Sequence, residues 1–406
     1  MFAATVLTSR SDDLRKRNRR AVLAALRQAP AVSRTELTGG TGLSAATVSA
    51  IASELLAERV LVQDKPQLAV NQKRGRPAVS LAFNPDNCVV AVASLRVGAV
   101  NAAIYDYSGA EIAADQQVIR TDNPDLGDIT LAIGGLCEGM LQGLAATRSE
   151  LRAINVGVQG ITDIAETTMI WSPITRKKNL PIASALHSRF LVPVRVGHDC
   201  SRIVVALRAM ERERLGNHFA VVLLSHGIGM GIFQNGRLLH GERSSAMEFG
   251  HLSYQPDGAL CRCGRRGCIE AYAGDYAILR TARGEPEDAL PVGVVTQAEL
   301  DEIERRARAG DPQAMLACER AGAAIGVGIA NMFALVDPFP VALVGKGAML
   351  LEFMRPKMLE MIGRRTLVSE FDEPLVVSHR DDIRIILQGC ALAALGEVDA
   401  LIAHSI

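Results

Sequence analysis

The 406-residue sequence lacks a long apolar run, a secretory leader and a high density of cysteine. No stretch of about 18 uninterrupted apolar residues occurs, which argues against a membrane-spanning helix. The first residues place their few apolar side chains before their charges, the reverse of a secretory signal. Eight cysteines in a chain of this length are too few for a disulfide scaffold. These absences predict a cytoplasmic protein without a membrane partner.

The chain also lacks net charge, although its charges are unevenly distributed. Lys and Arg together number 44, as do Asp and Glu. The first 80 residues contain 13 basic and 6 acidic side chains, so this segment carries about +7 and the remainder about −7. Such asymmetry is typical of a nucleic-acid-binding head on a separate body. The length and a hydrophobic content of 49% predict two or three globular domains.

Local signals within the basic segment predict a helix-turn-helix. Apolar positions in residues 14–26 fit one helix, which Pro30 ends. Ser33 and Glu36 have the spacing of a capping box, which marks a second helix start, and a glycine-rich turn follows. Ser44 is placed to cap the next helix. Two short helices joined by such a turn make a helix-turn-helix, and the alternating apolar residues after it predict a two-stranded wing.

The predicted wing carries an extended basic tip, Lys73–Pro77, suited to the minor groove of double-stranded DNA. The second helix of the pair would enter the major groove with small side chains, without Arg or Asn to read bases. We therefore expect the wing, the arm and the spacing within a dimer to supply much of the specificity. The predicted DNA contacts are Arg34, Ser44, Ala46, Thr47, Ser49, Lys73, Arg74 and Arg76. The alternative is a small helical bundle without a ligand.

After residue 84 the sequence alternates between strand and helix patterns. A helix is predicted from about Gln313 to Leu335, and another around Cys390 to His404. Strands mixed with helices over about 320 residues predict an α/β body of two lobes. A ligand cleft between the lobes is the usual consequence.

A cluster of four metal-binding side chains lies in the middle of this body. Cys261, Cys263 and Cys268 follow His251 closely, and three cysteines with one histidine form a common structural zinc set. The intervening glycines allow a tight loop, and the two arginines between them favour thiolates over thiols. A redox pair and a fortuitous cluster are the alternatives. The sequence predicts a Zn²⁺ site.

Carboxylates flank the zinc motif on both sides, Glu248 before His251 and Glu270 after Cys268. If one ring nitrogen of His251 binds zinc, the other is free for a ligand hydroxyl. Two carboxylates and an imidazole held by a rigid loop suit a polyol or sugar. The alternative is that both glutamates are solvated loop acids.

The order of these features closely resembles the ROK family, in its repressor branch. A basic helix-turn-helix, a Gly-Arg-Pro wing, an α/β body and the pattern E-x-G-H…C-x-C-G-x-x-G-C-x-E extend from about Arg15 to Ala400. The resemblance implies an actin-like, two-lobed sugar-kinase fold behind a winged head, and a homodimer or homotetramer. The implied domains are the head at 1–82, the small lobe at 83–200, the large lobe with the zinc loop at 201–388, and a C-terminal helix at 389–406 packed on the small lobe.

The resemblance also implies roles for single residues. It makes His251, Cys261, Cys263 and Cys268 zinc ligands. It makes Asp199, Glu248, His251 and Glu270 contacts to a sugar or sugar-phosphate effector. His198-Asp199 occupies the place of an Asn-Asp pair whose aspartate is the base of the family's sugar kinases.

The sequence departs from the kinases of this family on the ATP side. Ser94–Gly98 replaces the D-x-G-G-T loop, whose glycines let the backbone wrap the ATP phosphates. His226–Gly229 replaces T-G-I-G, and Gly345–Gly347 replaces the nucleotide-side glycine pair. Phosphoryl transfer depends on positioning, so these changes predict a protein that is not an enzyme.

The sugar side also departs from the family pattern. Residues 173–175 read Pro-Ile-Thr where the family has P-N-L, and residues 159–163 read Gln-Gly-Ile-Thr-Asp where it has P-G-x-V-D. His198 replaces the asparagine before the catalytic acid. These changes leave open a sugar derivative, a sugar phosphate, a polyol or a lost effector.

We therefore predict a DNA-binding transcriptional regulator, a repressor of genes for carbohydrate uptake or use, with an effector in the interlobe cleft. One alternative is an active ROK sugar kinase with an added head. Another is a regulator controlled by a docked protein partner instead of a sugar.

Overall fold

In a computed structural model of the chain, the described residues are 11–64, 80–119, 123–144, 150–245, 247–291, 293–365 and 375–404. They form a small head and a mixed α/β body built on two five-stranded sheets. The predicted DNA contacts Lys73, Arg74 and Arg76 lie outside the described residues.

The head contains three helices and a small sheet. Its elements are α1 (Ser11–Leu26), β1 (Val32–Ser33), α2 (Arg34–Thr41), α3 (Ala45–Ala57), β2 (Leu61–Asp64) and β3 (Ser80–Phe83). The predicted capping box is present, since Ser33 Oγ accepts from Glu36 N at 3.2 Å and Glu36 Oε2 accepts from Ser33 N at 2.7 Å. Ser44 Oγ accepts from Thr47 N at 3.1 Å and caps α3. The sheet has a third strand, β1, beyond the two predicted, because two residues are too few to show a strand period.

The first lobe contains a mixed sheet. Its elements are β4 (Val89–Arg96), β5 (Ala99–Asp106), β6 (Glu111–Val118), α4 (Leu126–Leu144), β7 (Leu151–Val158), β8 (Ile161–Thr162), β9 (Met169–Trp171), α5 (Ile182–Phe190) and β10 (Val194–His198). The strand order is β10-β7-β4-β5-β6. Strands β10, β7 and β4 are parallel, so their carboxyl ends meet at one edge of the sheet.

The second lobe contains the other sheet and most of the helices. The remaining elements of the chain are α6 (Asp199–Met210), α7 (Arg212–Leu215), β11 (Phe219–Leu224), β12 (Ile228–Gln234), β13 (Arg237–Leu238), α8 (Glu270–Ala273), α9 (Asp275–Ala282), α10 (Gln297–Arg308), α11 (Pro312–Val336), β14 (Val341–Val344), α12 (Leu351–Arg365), β15 (Leu375–His379) and α13 (Asp382–His404). The strand order is β13-β12-β11-β14-β15. Helix α6 begins directly after β10 and also packs on β11 and β12, so it connects the two sheets.

Helix α13 begins earlier than the sequence pattern predicts. It starts at Asp382 instead of 389, because the Asp381 carboxylate accepts from Arg384 N at 3.0 Å and caps the first turn. The helix packs against α6, against β4 and β7 of the first sheet, and against α1 of the head. It therefore contacts both the body and the head.

Two of the described helices, α11 and α13, have the length and apolar composition of membrane-spanning helices. In α11, 67% of the apolar window is buried inside the fold, and in α13 the share is 56%. Core helices of a folded domain pass the same composition test, so the finding is weak support for a membrane span.

A polar cluster joins the head to the body. Arg27, just after α1, donates from Nε to Asp399 Oδ2 at 2.8 Å and from Nη2 to Asp399 Oδ1 at 2.9 Å. Tyr107 donates its hydroxyl to Asp399 Oδ1 at 2.6 Å, and its carbonyl accepts from Arg27 Nη1 at 2.6 Å. The guanidinium of Arg27 stacks 3.6 Å from the ring centroid of Phe83 in β3. We call Arg27, Phe83, Tyr107 and Asp399 the head–body joint.

Candidate ligand cleft and metal centre

A cleft lies between the two sheets. The carboxyl ends of β4, β7 and β10 form one wall, and the β11–β12 turn with the cysteine-rich loop forms the other. The first turn of α13 closes one side. The charged and imidazole side chains of the cleft are Arg96, His198, Asp199, His226, Glu248, His251, Arg262, Glu270 and Asp382.

The four predicted metal-binding side chains come together beside this cleft. Nδ1 or Nε2 of His251 and the sulfurs of Cys261, Cys263 and Cys268 all lie within 4.8 Å of one another. The Sγ atoms of Cys263 and Cys268 are 3.9 Å apart, and Cys261 Sγ is 3.8 Å from His251 Nδ1. Sulfurs bound at about 2.3 Å to one tetrahedral zinc ion would be separated by about 3.8 Å. The cluster could hold such an ion.

Glycine geometry folds the metal loop. Gly264 and Gly267 have φ values of +85° and +76°, the left-handed region that favours glycine. A Cβ on Gly267 would lie 1.8 Å from the Gln255 carbonyl oxygen. Cys261 N donates to Arg265 O at 2.9 Å and Gly264 N donates to Cys261 O at 2.9 Å, which closes the turn around the sulfurs.

Arg265 acts mainly on the thiol of Cys263, although its charge also opposes the rise in the pKa of Cys268 that burial and the neighbouring Cys263 cause. Burial alone would raise the pKa of Cys263, but hydrogen bonds from Arg265 and from neighbouring thiols outweigh it and lower that pKa. Burial, together with the charge of Glu270, raises the pKa of Cys261. Arg266 instead donates to Gly258 O at 3.2 Å. Of the two arginines, Arg265 is therefore the one that favours a thiolate.

His251 faces both the sulfur cluster and the cleft. Its Nδ1 lies beside Cys261 Sγ, and its Nε2 is 3.9 Å from Glu248 Oε2. Burial, aided by the charge of Arg265, lowers the pKa of His251 to about 4, so the ring is neutral at pH 7, as a metal ligand must be. Trp171 packs edge-on against the ring at 6.3 Å between centroids.

The two glutamates of the motif have different environments. Glu270 is buried, and its Oε2 accepts from Ile228 N at 3.2 Å, which ties the metal loop to the β11–β12 turn. Burial raises the pKa of Glu270. Glu248 has 46% of its side chain exposed, yet it also borders the cleft. Both acids therefore face the same space, as the sequence motif predicts.

His198 and Asp199 lie at the start of α6, where β10 ends. Asp199 is buried and its Oδ1 lies 3.2 Å from His198 Nε2 and accepts from Cys200 N at 2.7 Å. Burial raises the pKa of Asp199. His198 Nδ1 is shielded from solvent and has no hydrogen-bond partner among the described residues. The pair therefore offers a polar atom to a ligand.

A buried network fixes the β11–β12 turn. His226 Nδ1 is 2.8 Å from Asp275 Oδ2, and Arg262 donates to the carbonyl oxygens of His226 and, at 3.0 Å, Gly293. The guanidinium of Arg262 also lies 4.6 Å from the ring centroid of Tyr276. Both His226 and Arg262 therefore have partners within the protein.

Sequence reasoning did not identify Arg96 and Asp382 as cleft residues. Arg96 ends β4, and Asp382 begins α13 almost 300 residues later, so only the fold brings them to one cleft. The available signal for Arg96 was a bulky charged residue where the kinases of the resembled family have glycine. Asp382 gave no comparable signal.

The predicted DNA-contacting residues of the head lie at its surface. Arg34, Ser44 and Ala46 are exposed, and Thr47 and Ser49 are half-buried on α3. The hydroxyls of Ser44 and Thr47 are 2.8 Å apart, so they hydrogen-bond to each other. The first turn of α3 therefore presents small side chains to an approaching partner.

Comparison with known proteins gives the following similarities. Residues 93–392 match the sequence model of the ROK family. The xylose repressor of Caldicellulosiruptor bescii is 23% identical over 392 residues, with 95% of this chain and 97% of that protein covered. The DNA-binding transcriptional repressor Mlc of Escherichia coli is 28% identical over 331 residues, with 80% of each chain covered.

Two solved structures have similar folds. The crystal structure of a ROK family transcriptional regulator, a homologue of the E. coli Mlc protein, superimposes with a TM-score of 0.76 over 97% of this chain and 99% of that chain, at 22% identity. A ROK family glucokinase from Streptomyces griseus, in complex with glucose and AMPPNP, gives a TM-score of 0.61 at 22% identity over 75% of this chain and 99% of that chain. At these identities the likeness shows the fold alone.

Proposed function

The chain belongs to the ROK family, whose model matches residues 93–392, and on that premise we propose that it is a DNA-binding transcriptional repressor of genes for carbohydrate uptake or use. The observation that carries the proposal is the joining of a helix-turn-helix head to a two-lobed body with a polar cleft. The match to a xylose repressor covers 95% of the chain and so includes the head. The match to the glucokinase fold covers 75%.

The head supports binding to a double-stranded DNA operator. The exposed start of α3 has no long side chain, so its backbone can approach the floor of the major groove closely. Arg34, Ser44, Ala46, Thr47 and Ser49 are the proposed contacts on the described part of the head. Two heads in a homodimer or homotetramer would read two half-sites, whose spacing is set by the assembly. On this proposal the protein acts in the cytoplasm.

The cleft supports control by a sugar-class effector instead of catalysis. Asp199, Glu248, His251 and Glu270 border one space and are the proposed sugar contacts. On the ATP side, the side chains of Ser94 and Arg96 line the cleft where a kinase of the family has an acid and a glycine. Phosphoryl transfer relies on positioned phosphates, so we expect no turnover of ATP.

We further propose that the metal of the cysteine-rich loop is Zn²⁺, held by His251, Cys261, Cys263 and Cys268. A structural zinc ion supplies folding free energy to the loop that carries it. His251 Nε2 and Glu270 would then be held in place by this loop, and they would orient the ligand.

Helix α13 provides a route from the cleft to the head. Asp382 in its first turn borders the cleft, and Asp399 belongs to the head–body joint. The two residues are about 26 Å apart along a continuous helix. A ligand that moves the first turn of α13 therefore moves the anchor of the head, and half-site spacing changes with it.

Genome-wide DNA footprinting of the purified protein, repeated with a library of sugars and sugar phosphates, tests the proposal. We expect discrete palindromic sites from which one class of compound releases the protein. Sites that no compound releases would favour a docked protein partner, and pull-down from sugar-fed cells would then identify it. The absence of specific sites, or ATP turnover with hexoses at about 1 s⁻¹ or faster, would contradict the repressor function.

A further inference from the structure

We propose, on the footing that the cleft is the effector site, that its ligand is a sugar bearing a negatively charged group, a phosphate or a carboxylate, and that Arg96 binds this group. Arg96 is the last residue of β4 and its side chain lines the cleft. The inference concerns the charge of the ligand, which the sequence left open.

The guanidinium of Arg96 is unsatisfied. Its Nε and Nη1 atoms are shielded from solvent and have no hydrogen-bond partner in the described part of the chain. No ion pair of Arg96 occurs there either, and the residue as a whole is half-buried. An arginine cannot relieve this by losing its proton, because a guanidinium stays protonated in proteins. Guanidinium nitrogens that are shielded from water and lack a partner are costly, so the site favours an anion that enters it.

The other arginine and imidazole side chains near the cleft have hydrogen-bond partners. Arg262 donates to two carbonyl oxygens and stacks on Tyr276, and His226 pairs with Asp275. Arg202, beneath the first sheet, donates from Nη2 to Glu166 at 2.6 Å. Each of these three side chains therefore has a carboxylate or carbonyl partner, although Arg202 Nε has none of its own, whereas Arg96 has no such partner in the described part of the chain.

The acids of the cleft are an alternative partner for Arg96. Asp199 already accepts from Cys200 N and lies beside His198, and Asp382 is placed in the first turn of α13, where the helix dipole favours its charge. Neither is ion-paired to Arg96. If one of them were the true partner, removing Arg96 would weaken folding and leave the choice of ligand unchanged.

The geometry of the two walls defines the ligand's polarity. Asp199 and Glu248 are acceptors for hydroxyl groups, and His198 Nδ1 is a further polar atom that has no partner among the described residues. Arg96 offers planar, paired N–H donors that match a phosphate or a carboxylate better than a hydroxyl. Residues 96 and 97 are arginine and valine instead of glycine, so the backbone amides there cannot wrap around a polyphosphate. A sugar with one terminal anionic group would satisfy Arg96 with that group and Asp199 and Glu248 with its hydroxyls.

Calorimetric binding to the full-length, zinc-loaded protein tests this. The probes are matched sets of a neutral hexose, its 6-phosphate and its uronate, in the gluco, manno, galacto and N-acetylgluco configurations. We expect one anionic member to bind at least about tenfold more tightly than its neutral counterpart, with affinity that falls as salt rises. Comparison of 6-phosphate with uronate identifies which anion the site takes.

The variants separate a ligand contact from a structural role. Arg96→Gln should lower affinity for the anionic sugar about 100-fold and leave affinity for the neutral sugar unchanged. Arg96→Lys keeps the positive charge but lacks the paired N–H donors of a guanidinium. Its affinity for the anionic sugar should therefore lie between those of the wild type and Arg96→Gln. Arg237→Gln, which removes a charge from the exposed strand β13, is the matched control and should bind as the wild type does.

Three results overturn the inference: binding by neutral sugars alone, binding by no charged sugar, or an unchanged charge preference in Arg96→Gln with a lowered melting temperature. Operator binding is measured on the same samples. Operator binding with release by neutral sugars would refute only the charge inference. Failure of the wild type to bind any operator would refute the proposed function itself.

Discussion

Gly389 allows α13 to pack closely against α6. It lies where α13 crosses α6, and a Cβ there would be 1.9 Å from the carbonyl oxygen of Arg202. Backbone cannot move aside as a flexible side chain can. The close crossing of the two helices therefore depends on the missing side chain.

We expect Gly389→Ala to lower the free energy of unfolding by about 3 kcal/mol, because the two helices must separate. Gly396→Ala is a matched control on the same helix, since a Cβ at Gly396 meets nothing within 4 Å. Gly396→Ala should raise the free energy of unfolding by about 0.5–1 kcal/mol, because alanine has a better helix propensity than glycine. Urea unfolding followed by circular dichroism measures both. Equal effects at the two positions would contradict the packing argument.

The functional residues that could be predicted from the sequence are those that belong to short motifs. The Ser33–Glu36 box is written in four consecutive residues, and the metal-binding side chains fall within eighteen. Arg96 differed from the family's glycine, but this signal did not identify it as a ligand contact, because that role depends on the absence of a partner among the described residues in three dimensions. A sequence states which side chains are present, and only packing states which of them are left unpaired.

Among the described elements, α13 contacts both the proposed ligand cleft and the head. Its first turn borders the cleft, its middle crosses α6, and Asp399 near its end binds Arg27 of the head. Asp399 and Arg27 are largely buried, with 10% and 13% of their side chains exposed. Breaking a buried pair leaves an uncompensated charge, so this joint is stronger than a surface salt bridge.

Asp399→Asn should uncouple the head from the cleft. The change leaves Arg27 without its carboxylate, which we expect to weaken head docking by about 3 kcal/mol. Operator affinity should then respond less than threefold to a ligand that still binds the cleft normally. Glu397→Gln is the control, because Glu397 pairs with Arg195 at 3.1 Å in a more exposed setting on the same helix.

Fluorescence anisotropy of operator DNA, with and without ligand, reports the coupling of Asp399→Asn, and calorimetry reports ligand binding. An unchanged response to ligand in that variant would show that the signal does not pass through the joint.

The sequence pattern of α13 marks only part of the helix. Its apolar repeat was visible around Cys390 to His404, but its first turn carries charged residues and is set by the Asp381 cap. That turn is the part that borders the cleft. The pattern therefore found the buried body of the helix and missed its functional end.

At the scale of the whole molecule, loss of the metal loop's structure should affect both the cleft and the second sheet. It borders the cleft through His251 and is tied to the second sheet through Glu270 and Ile228. A structural ion in such a loop contributes to folding, so removing it should lower both stability and ligand affinity.

We expect about one zinc per chain by elemental analysis, and a strong chelator should lower the melting temperature by about 5 °C or more. Cys263→Ser should lose the metal and the effect of the chelator. Cys318→Ser, which alters a buried cysteine in α11 away from the cluster, should keep one zinc although it also destabilises. A wild-type protein without bound zinc, unaffected by the chelator, would contradict the assignment.

The two-lobed α/β body behind a helix-turn-helix head was predictable from the order of patterns along the chain. The way the head docks was not, because Arg27 and Asp399 are 372 residues apart and neither has a local signal for the other. Long-range pairing depends on how the sheets and α6 place α13.

The same separation has a consequence for how the protein is made. Synthesis proceeds from the N terminus, so the head leaves the ribosome long before Asp399 is added. At about 5–20 residues per second, the head waits roughly 20–70 s for its anchor. During that interval a nascent head has its own core, with Leu23, Leu37 and Leu55 buried, but no connection to a cleft. A chain released before α13 is synthesised would lack Asp399, so a ligand in the cleft could not change its binding to DNA. Regulation by the ligand therefore requires that translation continue through the last helix.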